Sequence, residues 1–97
     1  MVLRDADVWA SGFNPIVACG FNGGAFYVTE YITQQSGYTT GDVVRVQVTS
    51  GGPASRATLG ENALHQPNGL AFDADGNVYV SNYSISFGAG QVVRVNF

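Results

Sequence analysis

The chain contains no lysine, one cysteine and one histidine among its 97 residues. The single cysteine, Cys19, allows no internal disulfide, and the lack of a Cys/His set argues against a structural zinc site. Cys19 lies in an apolar run, which predicts a buried and unreactive thiol. A domain this short buries a limited fraction of its surface, so we expect association to supply part of its stability.

Positive charge is scarce and scattered along the chain. The four basic residues are all arginines, and the formal net charge is −3. Nucleic acids and anionic membranes attract clustered basic residues, so neither is an expected partner. No apolar run approaches the roughly 20 residues of a membrane-spanning helix. The N-terminus lacks the charged-then-apolar pattern of a signal peptide, which leaves three alternatives open: a cytoplasmic protein, a removed leader, or an engineered start.

Helical periodicity is nearly absent, whereas 13 glycines and many β-branched and aromatic residues favour strands joined by turns. Hairpin turns are predicted at 22–24 and at 73–76, where Gly76 would take a positive φ. Polar loops are predicted at 33–40 and 60–66. The predicted strands cover residues 7–10, 16–20, 25–31, 42–48, 56–59, 69–72, 77–83 and 91–97.

The chain consists of two copies of one unit. Residues 67–83 (PNGLAFDADGNVYVSNY) have a counterpart at residues 15–31 (PIVACGFNGGAFYVTEY). A second pair of similar segments follows the two copies: GDVVRV at 41–46 and GQVVRV at 90–95. The resulting period of roughly 50 residues is typical of propellers and solenoids.

The two repeats, at about 5–54 and 55–97, are therefore predicted to form two four-stranded antiparallel propeller blades, an all-β fold. Their strands are apolar on both sides, which favours blades over a two-layer sandwich, because a blade packs through both faces. Two blades cannot close a ring, since known propellers have about 4 to 8. The chain would be a cyclic homo-oligomer or a fragment of a longer protein. The predicted strand at 7–10 would complete the last sheet of a neighbouring copy, or close on its own chain.

These motifs resemble the blades of NHL-type and gluconolactonase-type propellers. GLAFD, YVSN and GAGQVVRV in the second unit are most similar to the last blade of the ScyD/ScyE family, bacterial propeller proteins that are typically exported. WASGF, YVTEY and GDVVRV in the first unit look like an adjacent blade of that family. The resemblance implies about six blades in full-length relatives, and hence a homotrimer of this chain. It implies little about activity.

Asn68 is the candidate ligand residue that the resemblance singles out. In gluconolactonase-like propellers an asparagine directly before Gly-Leu is a metal ligand in the central channel, and Asn68 stands before Gly69 and Leu70. The acidic ligands of those enzymes have no recognisable match, and the first unit has Ile16 at this position. Amide oxygens alone would hold a divalent cation weakly. The alternatives are a weakly bound cation or small ligand, and an ordinary turn asparagine.

Glu30 and Asn82 occupy matching positions at the ends of YVTEY and YVSNY. They would line one face of the ring and contribute to a ligand site, or the Glu30 carboxylate would pair with a structural arginine. Asp73 opens a segment similar to a calcium loop, but its twelfth position is Ser84 rather than glutamate, so a turn is predicted. His65 is predicted to be a solvated loop residue, and no catalytic residue is identified.

Two classes of function follow from these features. The first is a non-catalytic, self-assembling propeller that acts as a structural or ligand-binding scaffold, with copies of itself and a small molecule or sugar as partners. The second is a metal-dependent lactonase-like hydrolase that uses the central channel. A tightly bound divalent ion, with lactone hydrolysis lost on chelation, would favour the second.

Overall fold

The structure is a computed structural model that describes residues 8–35, 38–83 and 88–95. Every regular element in these ranges is a β-strand, and all strand pairs are antiparallel, which confirms the predicted all-β class. No helix in these ranges has the length and hydrophobicity needed to cross a bilayer. The strands are β1 (Ile16–Asn22), β2 (Ala25–Gln35), β3 (Tyr38–Thr49), β4 (Gly52–His65), β5 (Leu70–Phe72), β6 (Val78–Asn82) and β7 (Gln91–Val95).

The first sheet is a four-stranded meander with the order β1-β2-β3-β4. The predicted turn between β1 and β2 is confirmed, because Gly23 and Gly24 both take positive φ angles, 57° and 79°. The predicted loop at 33–40 is wrong in its described part, since β2 and β3 continue through these polar residues as a longer hairpin. Backbone pairing of consecutive strands holds them in extended form despite their polar sequence.

The fourth strand of the first sheet comes from the segment that was predicted to open the second repeat. β4 extends from Gly52 to His65, so the predicted loop at 60–66 is wrong over most of its length. The strand pairs with β3 on both sides of residues 60–63, where the register shifts. Residues 56–59 lie inside β4 as predicted, but in the first sheet. The second repeat in the sequence thus begins one strand earlier than the second sheet, because β4 belongs to the first sheet.

The second sheet is a three-stranded meander with the order β5-β6-β7. Its first turn is the predicted one, with Gly76 at a φ of 85° and the Gly76 N–H bonded to the Asp73 carbonyl at 3.1 Å. Within the part of the chain that the structure describes, β7 pairs with β6 alone. The sheet therefore has the strand order of the first sheet without a counterpart of β4.

The two sheets pack face to face around one apolar core. Tyr27 of the first sheet meets Phe72 of the second, with ring centroids 5.1 Å apart. The first strands of the two sheets, β1 and β5, are neighbours. At Gly20 a Cβ would lie 3.1 Å from the Phe72 ring, so a glycine lets the strands approach closely. The buried core consists of Ala25, Tyr27, Val43, Leu64, Val78, Val80 and Val95.

Residues 8–14, called the N-terminal strap below, lie on the face of the first sheet that points away from the second. The predicted strand at 7–10 is wrong for its described residues, which have no regular structure. Trp9 packs edge-on against Phe26, with centroids 5.4 Å apart, and against Phe21 at 6.2 Å. Trp9 thus contributes to packing on a sheet face instead of pairing at a sheet edge.

Two single-residue predictions are also wrong. Cys19 is exposed, because alternation along β1 turns it away from the inter-sheet core. His65 is the last residue of β4 and half-buried, and its ring stacks on Tyr83 at 5.3 Å instead of lying free in a loop. The described chain, with one four-stranded and one three-stranded sheet, does not close into a propeller by itself.

Candidate functional site

Glu30 lies at 5% exposure in β2 and binds the segment that leads into β1. One carboxylate oxygen accepts a hydrogen bond from the Asn14 backbone N–H at 3.0 Å, and the other accepts one from the Asn14 side-chain amide at 3.3 Å. The Tyr31 N–H donates to the Pro15 carbonyl at 3.0 Å beside it. Glu30 therefore fixes the segment before β1 to β2, and this set of hydrogen bonds is called a clamp.

Asn82 makes the corresponding clamp in the second sheet. It is 4% exposed, and its Oδ1 accepts a hydrogen bond from the His65 backbone N–H at 2.8 Å. The Tyr83 N–H donates to the His65 carbonyl at 2.8 Å. The matching positions of Glu30 and Asn82 in the sequence thus carry a repeated structural bond, with backbone groups as partners.

A polar residue of the next strand stands directly opposite each clamp. Glu30 faces Asp42 across β2 and β3, and Asn82 faces Gln91 across β6 and β7. The Asn82 amide donates to the Gln91 side-chain oxygen at 3.3 Å, whereas Glu30 and Asp42 are two buried carboxylates, 5% and 3% exposed. The sequence analysis did not identify Asp42. Its alignment with Gln91, as the second residue of the repeated segments GDVVRV and GQVVRV, was the signal that could have done so.

Asn68 is exposed and lies two residues before β5. Its backbone N–H donates to the Ser81 carbonyl at 3.0 Å. Pro67, its neighbour, lies close to Gly41 and to the Glu30 backbone, so Asn68, Glu30 and Asn82 lie at one end of the two sheets. Only Asn68 of the three is exposed. Among the described residues no group of three His, Cys, Asp or Glu side chains is arranged to hold a metal ion.

The Asp73 carboxylate accepts four hydrogen bonds. One oxygen accepts bonds from the Asp75 and Asn77 N–H groups at 3.0 and 2.9 Å. The other accepts bonds from the Asn77 side-chain amide and the Tyr79 hydroxyl, both at 2.8 Å. These bonds, led by those from Asn77, lower the Asp73 pKa from 3.8 to about 2. The bond to Asp73 raises the pKa of Tyr79. All four bonds come from the turn and the start of β6, within six residues of Asp73, which confirms the structural interpretation of this segment.

The second sheet has one open, largely apolar face. An open cavity of about 260 Å³ lies on it. The Val92 side chain is 76% exposed on this face, whereas the Val80 side chain, which points to the opposite face of the sheet, is fully buried. The residues lining the cavity are Gly69, Leu70, Ala71, Tyr79, Val80, Ser81 and Val92. An exposed apolar face of this kind marks a binding or association surface.

Comparison of the chain with protein-family models, with curated proteins and with solved structures found no match.

Proposed function

We propose that this chain is a non-catalytic β-sheet unit that associates with further copies of itself, and that the assembly serves as a structural or ligand-binding scaffold. The assembly would be a closed propeller-type ring. The resemblance of the repeats to ScyD/ScyE blades favours about six blades, and hence three copies of a two-blade chain.

One observation carries this proposal: two meanders of the same strand order are stacked face to face, and the stack ends in an open apolar face. β1 and β5 are neighbours, as the first strands of successive blades are in a propeller. The open face beyond β5-β6-β7 is where a further sheet would continue the stack. Stacked repeat units bury a continuous core only when each apolar face meets a neighbour.

The lactonase-like alternative gains no support from a specific contact. Glu30 and Asn82 are engaged in structural hydrogen bonds, and Asn68 lies exposed in front of β5. In a ring, several Asn68 side chains would gather near the axis, so a neutral ligand such as a small molecule or a sugar is the class that such amides would bind.

The experiment that tests the proposal is the mass of the native chain in solution, measured together with lactone hydrolysis. We expect a closed oligomer with no hydrolysis above background. A chain that stays monomeric at all accessible concentrations would contradict the scaffold. Hydrolysis that is lost on chelation and restored by a divalent cation would support the lactonase instead.

A further inference from the structure

The open face of the second sheet is the repeat counterpart of a face that is buried inside the chain. In the first sheet, Tyr27 stands opposite Arg45 and Thr29 stands opposite Val43. In the second sheet, Tyr79 stands opposite Arg94 and Ser81 stands opposite Val92 in the same register. The two faces therefore present nearly the same residue types in the same arrangement.

Exposure distinguishes these two equivalent faces. Tyr27 and Val43 are 5% and 0% exposed because the second sheet covers them. Val92, the counterpart of Val43, is 76% exposed. The open face has the composition of a sheet-to-sheet interface, and no sheet formed by residues 8–35, 38–83 and 88–95 covers it.

The inner face of the second sheet, which covers the first sheet, has a repeat counterpart on the outer face of the first sheet. The second sheet uses Val78, Val80, Val93 and Val95, which are paired as Val78 with Val95 and Val80 with Val93. The first sheet carries Phe26 opposite Val46 and Val28 opposite Val44 in the same register, on its outer face. This outer face of the first sheet is thus the repeat counterpart of the surface that fits the open face.

The N-terminal strap lies on that outer face. Trp9 packs on Phe26 and Phe21. Arg56, which stands opposite Val46 on the same face, donates hydrogen bonds to the carbonyls of Ser11 and Gly12 and lies 3.9 Å from the Phe13 ring centroid. On the same outer face, Val28 and Val46 are fully buried.

We infer that the open face of the second sheet binds the outer face of the first sheet in a second copy of this chain, and that the N-terminal strap competes for the same outer face. The interface would continue the one that already joins the two sheets, with the repeat counterparts of the same residues. This inference rests on the proposed self-association and adds the two surfaces that meet and the segment that has to move.

While the strap covers the outer face of the first sheet, that face cannot bind a second copy. The apparent affinity of self-association is therefore reduced to the fraction of copies in which the strap is displaced. The Glu30 clamp fixes Asn14 at the end of the strap that leads into β1. The contacts of the preceding residues are one aromatic cluster, one cation–π contact and the hydrogen bonds of Arg56, each a modest interaction. A variant with a weakened strap would therefore associate more tightly than the wild type. A variant with a charge on the open face would associate less tightly.

The test compares full-length variants by sedimentation velocity over a concentration series. Val92→Asp places a charge on the open face, and Ser50→Asp, in the exposed turn between β3 and β4, is the matched control. Trp9→Ser weakens the strap from one side. Arg56→Ala weakens it from the other side without changing a buried side chain, so it remains informative if Trp9→Ser fails to fold. Circular dichroism confirms that each variant retains its β structure.

We expect the strap variants to associate at concentrations about tenfold lower than the wild type, and Val92→Asp to require concentrations at least tenfold higher than Ser50→Asp. Strap variants that associate no more tightly than the wild type would overturn the competition. Equal association of Val92→Asp and Ser50→Asp would overturn the assigned surface while leaving self-association intact. Monomers throughout, with native circular dichroism, would overturn the inference together with the scaffold proposal.

Discussion

Gly41 of β3 lies against the ring of Pro67, the residue before the exposed Asn68: a Cβ at Gly41 would lie 2.8 Å from the Pro67 Cγ and closer still to the Glu30 carbonyl oxygen. Gly41 and Pro67 are both buried. The contact therefore links the end of the first sheet to the chain that enters the second sheet, at the end of the structure where the predicted site residues lie.

Replacing Gly41 with alanine is expected to lower the free energy of unfolding by about 1–3 kcal/mol or more, because the new methyl group meets backbone and a rigid proline ring. The repeat provides a matched control. Gly90 occupies the equivalent position in the second unit, is exposed, and has no described atom within 4 Å of its Cβ position. Gly90→Ala is expected to leave stability unchanged or to raise it by up to about 1 kcal/mol. Urea denaturation of both variants checks this, and equal effects would contradict the described contact.

The clamps are expected to contribute to stability through the backbone groups that they bind. Glu30→Ala removes both acceptors of Asn14, and Asn82→Ala removes the acceptor of the His65 N–H. Each should lower the free energy of unfolding by about 1–3 kcal/mol. Thermal and urea unfolding measure this effect.

Glu30→Gln is the control for the first clamp. It keeps one acceptor oxygen and removes one of two carboxylates that face each other across β2 and β3, so we expect stability within about 0.5 kcal/mol of the wild type. A Glu30→Ala protein as stable as Glu30→Gln would show that the clamp contributes nothing.

The Asp73 network predicts a specific dependence of stability on pH. The folded-state pKa of Asp73 lies at about 2, below its ordinary value of 3.8. Its stabilising contribution is therefore fully present above about pH 4 and is lost as the pH falls through about 2. Asp73→Asn should have a lower urea midpoint than the wild type at pH 7, and the difference should shrink between pH 4 and pH 2. Asp75→Asn, in the same turn with an exposed side chain, serves as the control. A difference that is constant with pH would contradict the network.

Asn68 provides a test of the predicted ion. Its side chain is exposed, so Asn68→Ala is expected to change the free energy of unfolding by no more than about 0.5 kcal/mol. Addition of calcium or manganese is expected to leave the Tm of wild type and variant unchanged, since amide oxygens alone bind such ions weakly. A rise in Tm with the wild type that is absent from Asn68→Ala would establish an ion site at this residue.

The sequence could predict the turns and the strands around them. Gly23, Gly24 and Gly76 take positive φ angles, which glycine adopts without steric cost, and these residues therefore fix where the hairpins turn. The repeat also predicted that Glu30 and Asn82 would be equivalent. These are local or internally repeated signals, which a single sequence contains.

The remaining features depend on packing between distant segments. Nothing local distinguishes a short apolar stretch around Trp9 that pairs at an edge from one that packs on a sheet face. β4 continues through residues 60–63 because its pairing with β3 on either side, at Leu59 and at Leu64, holds the strand, which local propensity does not report. The partners of the clamps, Asn14 and His65, lie 16 and 17 residues away from Glu30 and Asn82, so no short motif marks them.

The most direct test of self-association is native mass spectrometry of the wild-type chain over a series of concentrations, with light scattering in solution as a check. A single chain has a mass of 10.2 kDa. We predict a closed species at about three times that mass, which becomes more abundant as the concentration rises. A single species at 10.2 kDa over the whole series would contradict the account, and the two stacked sheets would then be a complete sandwich in themselves.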